Sequence, residues 1–185
     1  MPTPSVRRHR WSRDEYEAMI AAGIFHPEAR LELVDGEIVE MTPQGSAHAT
    51  AIQLIEDALR PAFGAGHAIR IQLPLALDAT SEPEPDVAVV TGHPRDYKDA
   101  HPDTAVLVVE VAETSLTYDR LTKGSLYARS GIPEYWLLDL GRRQLEVYRR
   151  PQGEGFLDTA SFSETDRVAP AAVPDAALRV ADLLP

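Results

Sequence analysis

Two nearly continuous apolar runs, "DVAVV" at residues 86–90 and "AVLVVEV" at residues 105–111, constrain the fold of this chain most strongly. Segments that are apolar at almost every position, rather than at every second one, are typical of strands covered on both faces. Covering both faces of a sheet requires helices or further strands on each side of it. The sequence therefore predicts a mixed α/β structure built around one principal sheet.

Helical and strand patterns alternate around these two runs. Residues 13–23 form a predicted helix, because Ser12 and Glu15 have the spacing of a capping box. The segment "RLELVDGEIVEM" alternates on both sides of Asp35 and Gly36, which predicts an N-terminal β-hairpin. The other predicted elements are a helix capped by Ser46, strands in 67–77, 133–140, 144–150 and 155–162, a helix in 117–131, and a strand with a final helical turn in 174–185.

Length, cysteine content and hydropathy limit the class of protein. With 185 residues, the chain is expected to form one domain over residues 1–185, in which residues 1–10 are a flexible basic tail. The absence of cysteine excludes disulfides, thiolate metal ligands and a thiolate nucleophile. No apolar run approaches the roughly 20 residues that a membrane helix needs. A soluble, cytoplasmic protein is the expectation.

The charge of the chain argues against a nucleic-acid partner, without excluding one. The net charge is −11, whereas neutralising phosphates requires lysine and arginine. Local charge can still differ from the total, so we expect any contact with DNA to be local and sensitive to salt. The arginine clusters that could make such a contact are Arg7, Arg8 and Arg10, and Arg142, Arg143, Arg149 and Arg150.

Two acidic residues lie in the apolar runs. Asp86 opens the first run, and Glu110 lies near the end of the second. Removing a carboxylate from water is costly unless a partner compensates for it, and Mg²⁺, a hard cation with oxygen ligands, is such a partner. If the two strands are neighbours, Asp86, Glu110 and the backbone carbonyl of Val111 converge on one ion. Alternatively, Asp86 is a turn residue, and Glu110 faces solvent or pairs with an arginine.

The helix predicted in residues 117–131 carries Asp119, Lys123 and Tyr127 at intervals of four, which places them on one face. One interpretation is an ion pair of Asp119 with Lys123 that stabilises the helix by about 0.3–0.5 kcal/mol. The other is that Lys123 points towards the two carboxylates, where it would orient an attacking water and balance charge on a phosphate. Lys123 is one of only two lysines in the chain, which slightly favours the second interpretation.

Four segments, "LELVDGEIVEMTP", "EPDVAVV", "LVVEVAETS" and "YDRLTKGSLYARSGIPEYWLLD", carry a family resemblance. They resemble the Uma-two family of restriction endonucleases, which belongs to the PD-(D/E)xK nuclease superfamily. The resemblance implies a restriction-endonuclease-like mixed sheet flanked by helices, with Asp86 and Glu110 in the two acidic motif positions. The residue two positions after Glu110, where the superfamily has lysine, is Ala112. Lys123 from the following helix is the natural substitute.

Two further residues match motif positions of the family and are weaker candidates for the site. Glu32 belongs to the "LELVDGE" segment, and His48 opens the helix that follows "TPQGSA". Glu32 alternates with Leu31 and Leu33, which favours a strand residue that faces solvent. A histidine at the start of a helix is more often a surface or capping residue than part of a site.

The resemblance implies a divalent-metal-dependent endonuclease that hydrolyses DNA phosphodiester bonds. Asp86, Glu110 and Lys123 would be its catalytic residues, the ion would be Mg²⁺ with Mn²⁺ as a substitute, and a two-fold homodimer would cleave both strands. Two alternatives are open. A catalytically silent DNA-binding or structural protein is favoured by Ala112 and the acidic net charge, and a metal-dependent phosphodiesterase acting on a small nucleotide is favoured by the charge alone.

Overall fold

The N-terminal part of the chain forms the predicted helix and hairpin, followed by a long helix. These elements are α1 (Arg13–Ala21), β1 (Leu31–Val34), β2 (Glu37–Glu40) and α2 (Ser46–Phe63). The capping box at the start of α1 is present. Asp35 and Gly36 have φ angles of 54° and 74°, the left-handed conformation that a two-residue hairpin turn requires. The structure, a computed structural model, describes residues 7–41 and 43–185, so residues 1–6 of the predicted basic tail lie outside the described residues.

A six-stranded mixed sheet forms the centre of the structure. Its strands are β3 (His67–Ile71), β4 (Val87–Thr91), β5 (Leu107–Ala112), β6 (Glu134–Asp139), β7 (Gln144–Gln152) and β8 (Gly155–Ser163). They lie side by side in chain order. The pair β5–β6 is parallel and the other neighbouring pairs are antiparallel. The two apolar runs are thus the adjacent strands β4 and β5.

The helix predicted in residues 117–131 is divided into three segments. They are α3 (Leu116–Tyr118), a π-helical turn (Asp119–Lys123) and α4 (Gly124–Arg129). The chain ends with a small ladder of β9 (Arg167–Val168) and β10 (Leu178–Arg179) and a 3₁₀ turn (Val180–Leu183). Among the residues that the structure describes, no helix is long and apolar enough to cross a membrane.

A separate hydrophobic core covers each face of the sheet, which explains why β4 and β5 are apolar throughout. Helix α2 and the C-terminal turn cover one face, where Val109 and Trp136 are buried. The hairpin and residues 116–129 cover the other face, where Val108 and Tyr135 are buried. Neighbouring residues of a strand point to opposite faces of the sheet. Because both faces are covered, side chains on either face point into a hydrophobic core, where a polar group needs a partner.

The cap of α2 and the end of β3 differ from the prediction. Helix α2 begins at Ser46, and Gly45 occupies the N-cap position without a side-chain hydrogen bond, so Ser46 is not the cap. Strand β3 ends at Ile71, although the alternating pattern continues to residue 77. Gln72 turns the backbone with a φ of 50°, and Pro74 has no N–H for a ladder hydrogen bond.

The hairpin is joined to the segment before β4 through Leu33 and Glu82, which exchange backbone hydrogen bonds of 3.3 and 2.7 Å. The side chain of Glu82 is buried, with its Oε2 atom 3.8 Å from Nε of Arg13. Burial, and then the charge of Glu17, raises the pKa of Glu82 to about 7. The folded protein therefore holds a proton at Glu82 at pH values where the unfolded chain has lost it.

We expect Glu82→Gln to become more stable relative to wild type as the pH rises. The folded pKa lies above the ordinary value of 4.5, so the contribution of Glu82 to stability is fully present below about pH 4.5 and is lost as the pH rises through about 7. Glutamine is neutral throughout. The unfolding free energy of the variant relative to wild type should therefore increase by about 1–3 kcal/mol between about pH 5 and about pH 8.

Urea unfolding at the two pH values measures this difference. The exposed Glu154→Gln is the control, because it removes the same charge from a turn at the surface. Its stability relative to wild type should not depend on pH. Parallel pH profiles for Glu82→Gln and wild type would contradict the prediction.

Candidate functional site

The register of β4 and β5 places the two predicted acidic residues opposite each other. Val87 pairs with Val109, so the next step along the antiparallel register brings Asp86 opposite Glu110. Side chains of directly opposed residues lie on the same face of a sheet. The backbone N–H of Asp86 donates to Oε2 of Glu110 at 3.3 Å. The structure therefore brings the two acids together.

Asp86 is held by donors at both carboxylate oxygens. Its Oδ1 atom lies 3.0 Å from Nε2 of His48 and accepts from Nε2 of Gln72 at 3.1 Å. Its Oδ2 atom accepts from the backbone N–H of Val111 at 2.8 Å. Burial opposes ionisation, but the His48 contact and the Val111 N–H outweigh it and hold the pKa of Asp86 below its ordinary value. Asp86 is therefore ionised at neutral pH and is not a simple turn residue.

Glu110 is almost completely buried and also accepts several hydrogen bonds. Its Oε1 atom accepts from Nζ of Lys123 at 3.0 Å and from the hydroxyl of Tyr127 at 2.6 Å. Burial and, to a smaller extent, the charges of Asp86 and Asp119 raise the pKa of Glu110 and Lys123 lowers it, with a net value of about 8. Within the described residues, Glu110 neither faces solvent nor pairs with an arginine, so both of those alternatives are wrong.

Lys123 is completely buried between carboxylates from two different segments. Its Nζ atom lies 3.0 Å from Oε1 of Glu110 and 3.2 Å from Oε1 of Glu32. Burial alone would lower the pKa of Lys123, but the charges of Glu110 and Glu32 outweigh it and raise the pKa above its ordinary value. The structure therefore places Lys123 as a charged residue directly beside one of the two acids.

The ion pair of Lys123 with Asp119, expected for a regular helix, is not among those formed by the described residues. The two residues begin and end the π-helical turn, which has a different pitch from an α-helix and offsets residues spaced by four. Asp119 instead accepts a hydrogen bond from the hydroxyl of Ser115. The helix-stabilising interpretation of this spacing is therefore wrong.

The position of Glu32 corrects the sequence prediction. Glu32 was expected to face solvent, but it is 0% exposed. Its Oε2 atom accepts from the backbone N–H of Glu84 at 3.0 Å, while Oε1 faces Lys123. Leu33 and Val34 are buried as well, so β1 is covered on both faces. Alternation does not identify a solvent face in such a strand, and the buried lysine is the partner that makes a buried acid tolerable.

His48 and Gln72 complete the surroundings of Asp86. His48 lies in the first turn of α2, and its side chain is only 14% exposed. It is therefore neither a cap nor a freely exposed residue. Gln72 was not predicted. It follows β3 in a left-handed conformation, and its backbone N–H also donates to the carbonyl of Asp86 at 3.2 Å. The feature that marks Gln72 as a residue of this site is its positive φ angle, and the sequence does not reveal that angle.

The two acids open onto a cleft of about 60 Å³ that is also lined by Val111. Asp86 Oδ2 and Glu110 Oε2 each accept one backbone N–H, which leaves each oxygen a lone pair for another partner. The N–H of Val111 points to Asp86. The N–H and C=O of a strand residue point to the same side, so the Val111 carbonyl points there too. The predicted ligand oxygens therefore share one side of the cleft.

This donor set fits a hard divalent cation that keeps part of its water shell. In residues 7–41 and 43–185, no group of three or more His, Cys, Asp or Glu side chains is placed to hold a metal ion. Mg²⁺ is usually bound by one or two carboxylates and retains several waters for a phosphate substrate. Asp86, Glu110 and the Val111 carbonyl remain the predicted ligands.

The larger arginine cluster is paired within the protein. All four of its side chains lie within 4 Å of carboxylate oxygens. These ion pairs are Arg142–Asp139, Arg143–Glu164, Arg149–Glu134 and Arg150–Asp158. Charge already neutralised in this way contributes less to phosphate binding than the count of arginines in the sequence suggests.

Comparisons with known proteins agree with this architecture. The sequence matches the Uma2 (Uma-two) family, described as "Putative restriction endonuclease", over residues 13–181. The fold is similar to the crystal structure of "a putative nuclease belonging to DUF820" from Anabaena variabilis. The TM-score is 0.67 at 19% sequence identity, covering 93% of this chain and 96% of that chain. No curated protein matches the chain in sequence. The predicted mixed sheet flanked by helices is confirmed.

Proposed function

This chain belongs to the Uma-two family, described as "Putative restriction endonuclease", and we propose that it is a divalent-metal-dependent endonuclease that hydrolyses DNA phosphodiester bonds. The observation that carries this proposal is the pair Asp86 and Glu110, opposed on neighbouring buried strands with free lone pairs facing one cleft. Two desolvated carboxylates in this arrangement are costly for a purely structural role and are suited to a hard cation.

Asp86, Glu110 and the Val111 carbonyl would hold Mg²⁺, or Mn²⁺ in its place. A bound ion would supply Lewis acidity towards a phosphoryl oxygen and would lower the pKa of a bound water. Asp86 is kept ionised by His48 and the Val111 N–H, so it is available as a ligand without losing a proton. Gln72 fixes the orientation of the same carboxylate through a second contact at Oδ1.

We propose that Lys123 acts on the reaction through Glu110. Its ammonium is 0% exposed and lies 3.0 Å from Glu110. Lys123 favours the ionised form of Glu110, opposing the burial that raises the pKa of that acid. The Tyr127 hydroxyl donates to the same oxygen and fixes its position. Position 112, where the superfamily motif has lysine, is alanine in this chain. Lys123 from the following helical segment would take over the role of that lysine, and it contacts Glu110 on the side away from the proposed metal ion.

A metal-dependent phosphodiesterase for small nucleotides is the second candidate. The observation that favours it is the acidic net charge of −11. A small nucleotide meets less of an acidic surface than a long duplex does. Cleavage of a dinucleotide but not of plasmid DNA would favour this candidate.

We expect the protein to convert supercoiled plasmid DNA to nicked and linear forms with Mg²⁺ or Mn²⁺, and EDTA to abolish this activity. The reason is that Asp86 and Glu110 alone provide no electrophile for a phosphate. Gel electrophoresis of plasmid and of single-stranded DNA measures the reaction. Binding of DNA without cleavage under any metal condition would instead support a catalytically silent DNA-binding protein.

We further propose a two-fold homodimer, because two identical sites related by symmetry can cleave the two strands of a duplex. Linear products that form without a prior build-up of nicked plasmid would support paired cleavage. Light scattering gives the oligomeric state directly, and a monomer at assay concentrations would exclude the dimer.

A further inference from the structure

The cleft that holds Asp86 and Glu110 is acidic, so a phosphodiester entering it requires a cation on the protein. Glu113 and Asp119 also line the cleft. A divalent cation would neutralise the charge of two of these four acids, and the surplus of negative charge would still repel a phosphate. A positively charged side chain that faces the substrate would offset this repulsion.

Neither Lys123 nor His48 is suited to this role. Lys123 is 0% exposed, and its charge is taken up by Glu32 and Glu110. His48 lines the cleft, but its Nε2 atom is engaged by Asp86 at 3.0 Å. Among the described residues that line the cleft, the one arginine or lysine is Arg30.

Arg30 combines a fixed backbone with an available guanidinium. It lies directly before β1, and its carbonyl accepts the N–H of Met41 at 2.8 Å, which holds its backbone at the rim of the cleft. Its side chain is half-buried. Arg120 and Arg129 are held by acidic partners. In the part of the chain that the structure describes, Arg30 forms no ion pair within 4 Å, although its charge partly offsets the burial that raises the pKa of Glu84.

We propose that Arg30 binds the non-bridging oxygens of the scissile phosphodiester and sets its position against Asp86 and Glu110. This inference rests on the proposed function, because it concerns the substrate of the same site. A guanidinium presents a planar fork of donors that matches two phosphate oxygens, whereas an ammonium provides a single point charge. Lysine at this position should therefore replace Arg30 only in part.

The test is binding of a short fluorescein-labelled DNA duplex at low salt, with Ca²⁺ replacing Mg²⁺ to prevent cleavage. We expect Arg30→Ala to weaken binding by about 10- to 100-fold, as for the loss of charge-assisted hydrogen bonds, and Arg30→Lys to lie between Arg30→Ala and wild type. The slope of log affinity against log salt should fall by about one. Arg95→Ala, which removes the same charge from an exposed position outside the cleft, should bind like wild type.

Fluorescence anisotropy gives the affinities, and plasmid cleavage is measured separately. Wild-type affinity in Arg30→Ala, or no binding by wild type itself, would overturn the role of Arg30. A wild-type protein that binds DNA through Arg30 but cleaves none would disprove the endonuclease and leave only the phosphate contact of Arg30 standing. Cleavage by wild type with an unchanged Arg30→Ala affinity would disprove only the role of Arg30.

Discussion

Lys123→Met should lower the free energy of unfolding by about 3–5 kcal/mol and reduce DNA cleavage by orders of magnitude. The substitution removes the charge that lies 3.0 Å from Glu110 and 3.2 Å from Glu32, and leaves two buried carboxylates without a counter-charge. Burial raises the pKa of Glu110, and Lys123 opposes that rise, with a net value of about 8. Without Lys123 the pKa of Glu110 should rise further, so a metal ion would have to displace a more tightly held proton and should bind less well. Urea unfolding and plasmid cleavage measure the two effects.

Two variants separate the contributions to this result. Lys98→Met removes the other lysine of the chain, whose side chain is 75% exposed, and should behave like wild type. The double variant Lys123→Met, Glu32→Gln removes one of the two unpaired acids, so it should regain part of the lost stability without regaining cleavage. A stability loss below about 1 kcal/mol for Lys123→Met, as for an exposed helical ion pair, would contradict the buried arrangement.

Much of the fold could be predicted because its signals are local or periodic. The apolar runs identified β4 and β5, and the capping box at Ser12 and Glu15 identified the start of α1. The end of β3 and the π-helical turn were not predictable. The pattern after Ile71 continues to alternate although the backbone turns at Gln72. Nothing in "DRLTK" distinguishes a π turn from an α-helix. The hydroxyl of Tyr135, which contacts this turn by donating to the Asp119 carbonyl at 3.1 Å, belongs to β6 and so lies outside the segment.

The candidate site was predictable to the extent that it follows from strand order. Asp86 and Glu110 lie on successive strands, so an antiparallel pairing is enough to bring them together. The burial of Glu32 required knowing that the hairpin lies against Lys123, a contact between residues 91 positions apart in the sequence (123 − 32). The contact of His48 with Asp86 likewise joins a helix to a strand end. Periodicity within one segment carries no information about such contacts.

Asp86→Asn should lower the affinity for Mn²⁺ by more than about 100-fold. Replacing a residue that only contacts a metal ligand already lowers metal affinity by about 10- to 100-fold, and Asp86 is itself a proposed ligand. Asp86→Asn should also reduce plasmid cleavage below detection. The substitution removes the charge that His48 and the Val111 N–H stabilise. Asparagine also carries an NH₂ group in place of one carboxylate oxygen. The two oxygens of Asp86 now accept hydrogen bonds from His48, Gln72 and Val111, so the NH₂ group would face a hydrogen-bond donor. Calorimetric titration of Mn²⁺ measures the affinity.

Asp158→Asn is the control for Asp86→Asn, because Asp158 is an exposed acid on β8 that pairs with Arg150. It should bind Mn²⁺ and cleave DNA like wild type. Equal Mn²⁺ affinity in Asp86→Asn and wild type would remove Asp86 from the metal site, whatever happens to cleavage. Loss of Mn²⁺ binding in Asp86→Asn with full cleavage would show that hydrolysis does not use the ion held by Asp86, because a hydrolytic metal must be bound for its water to be activated.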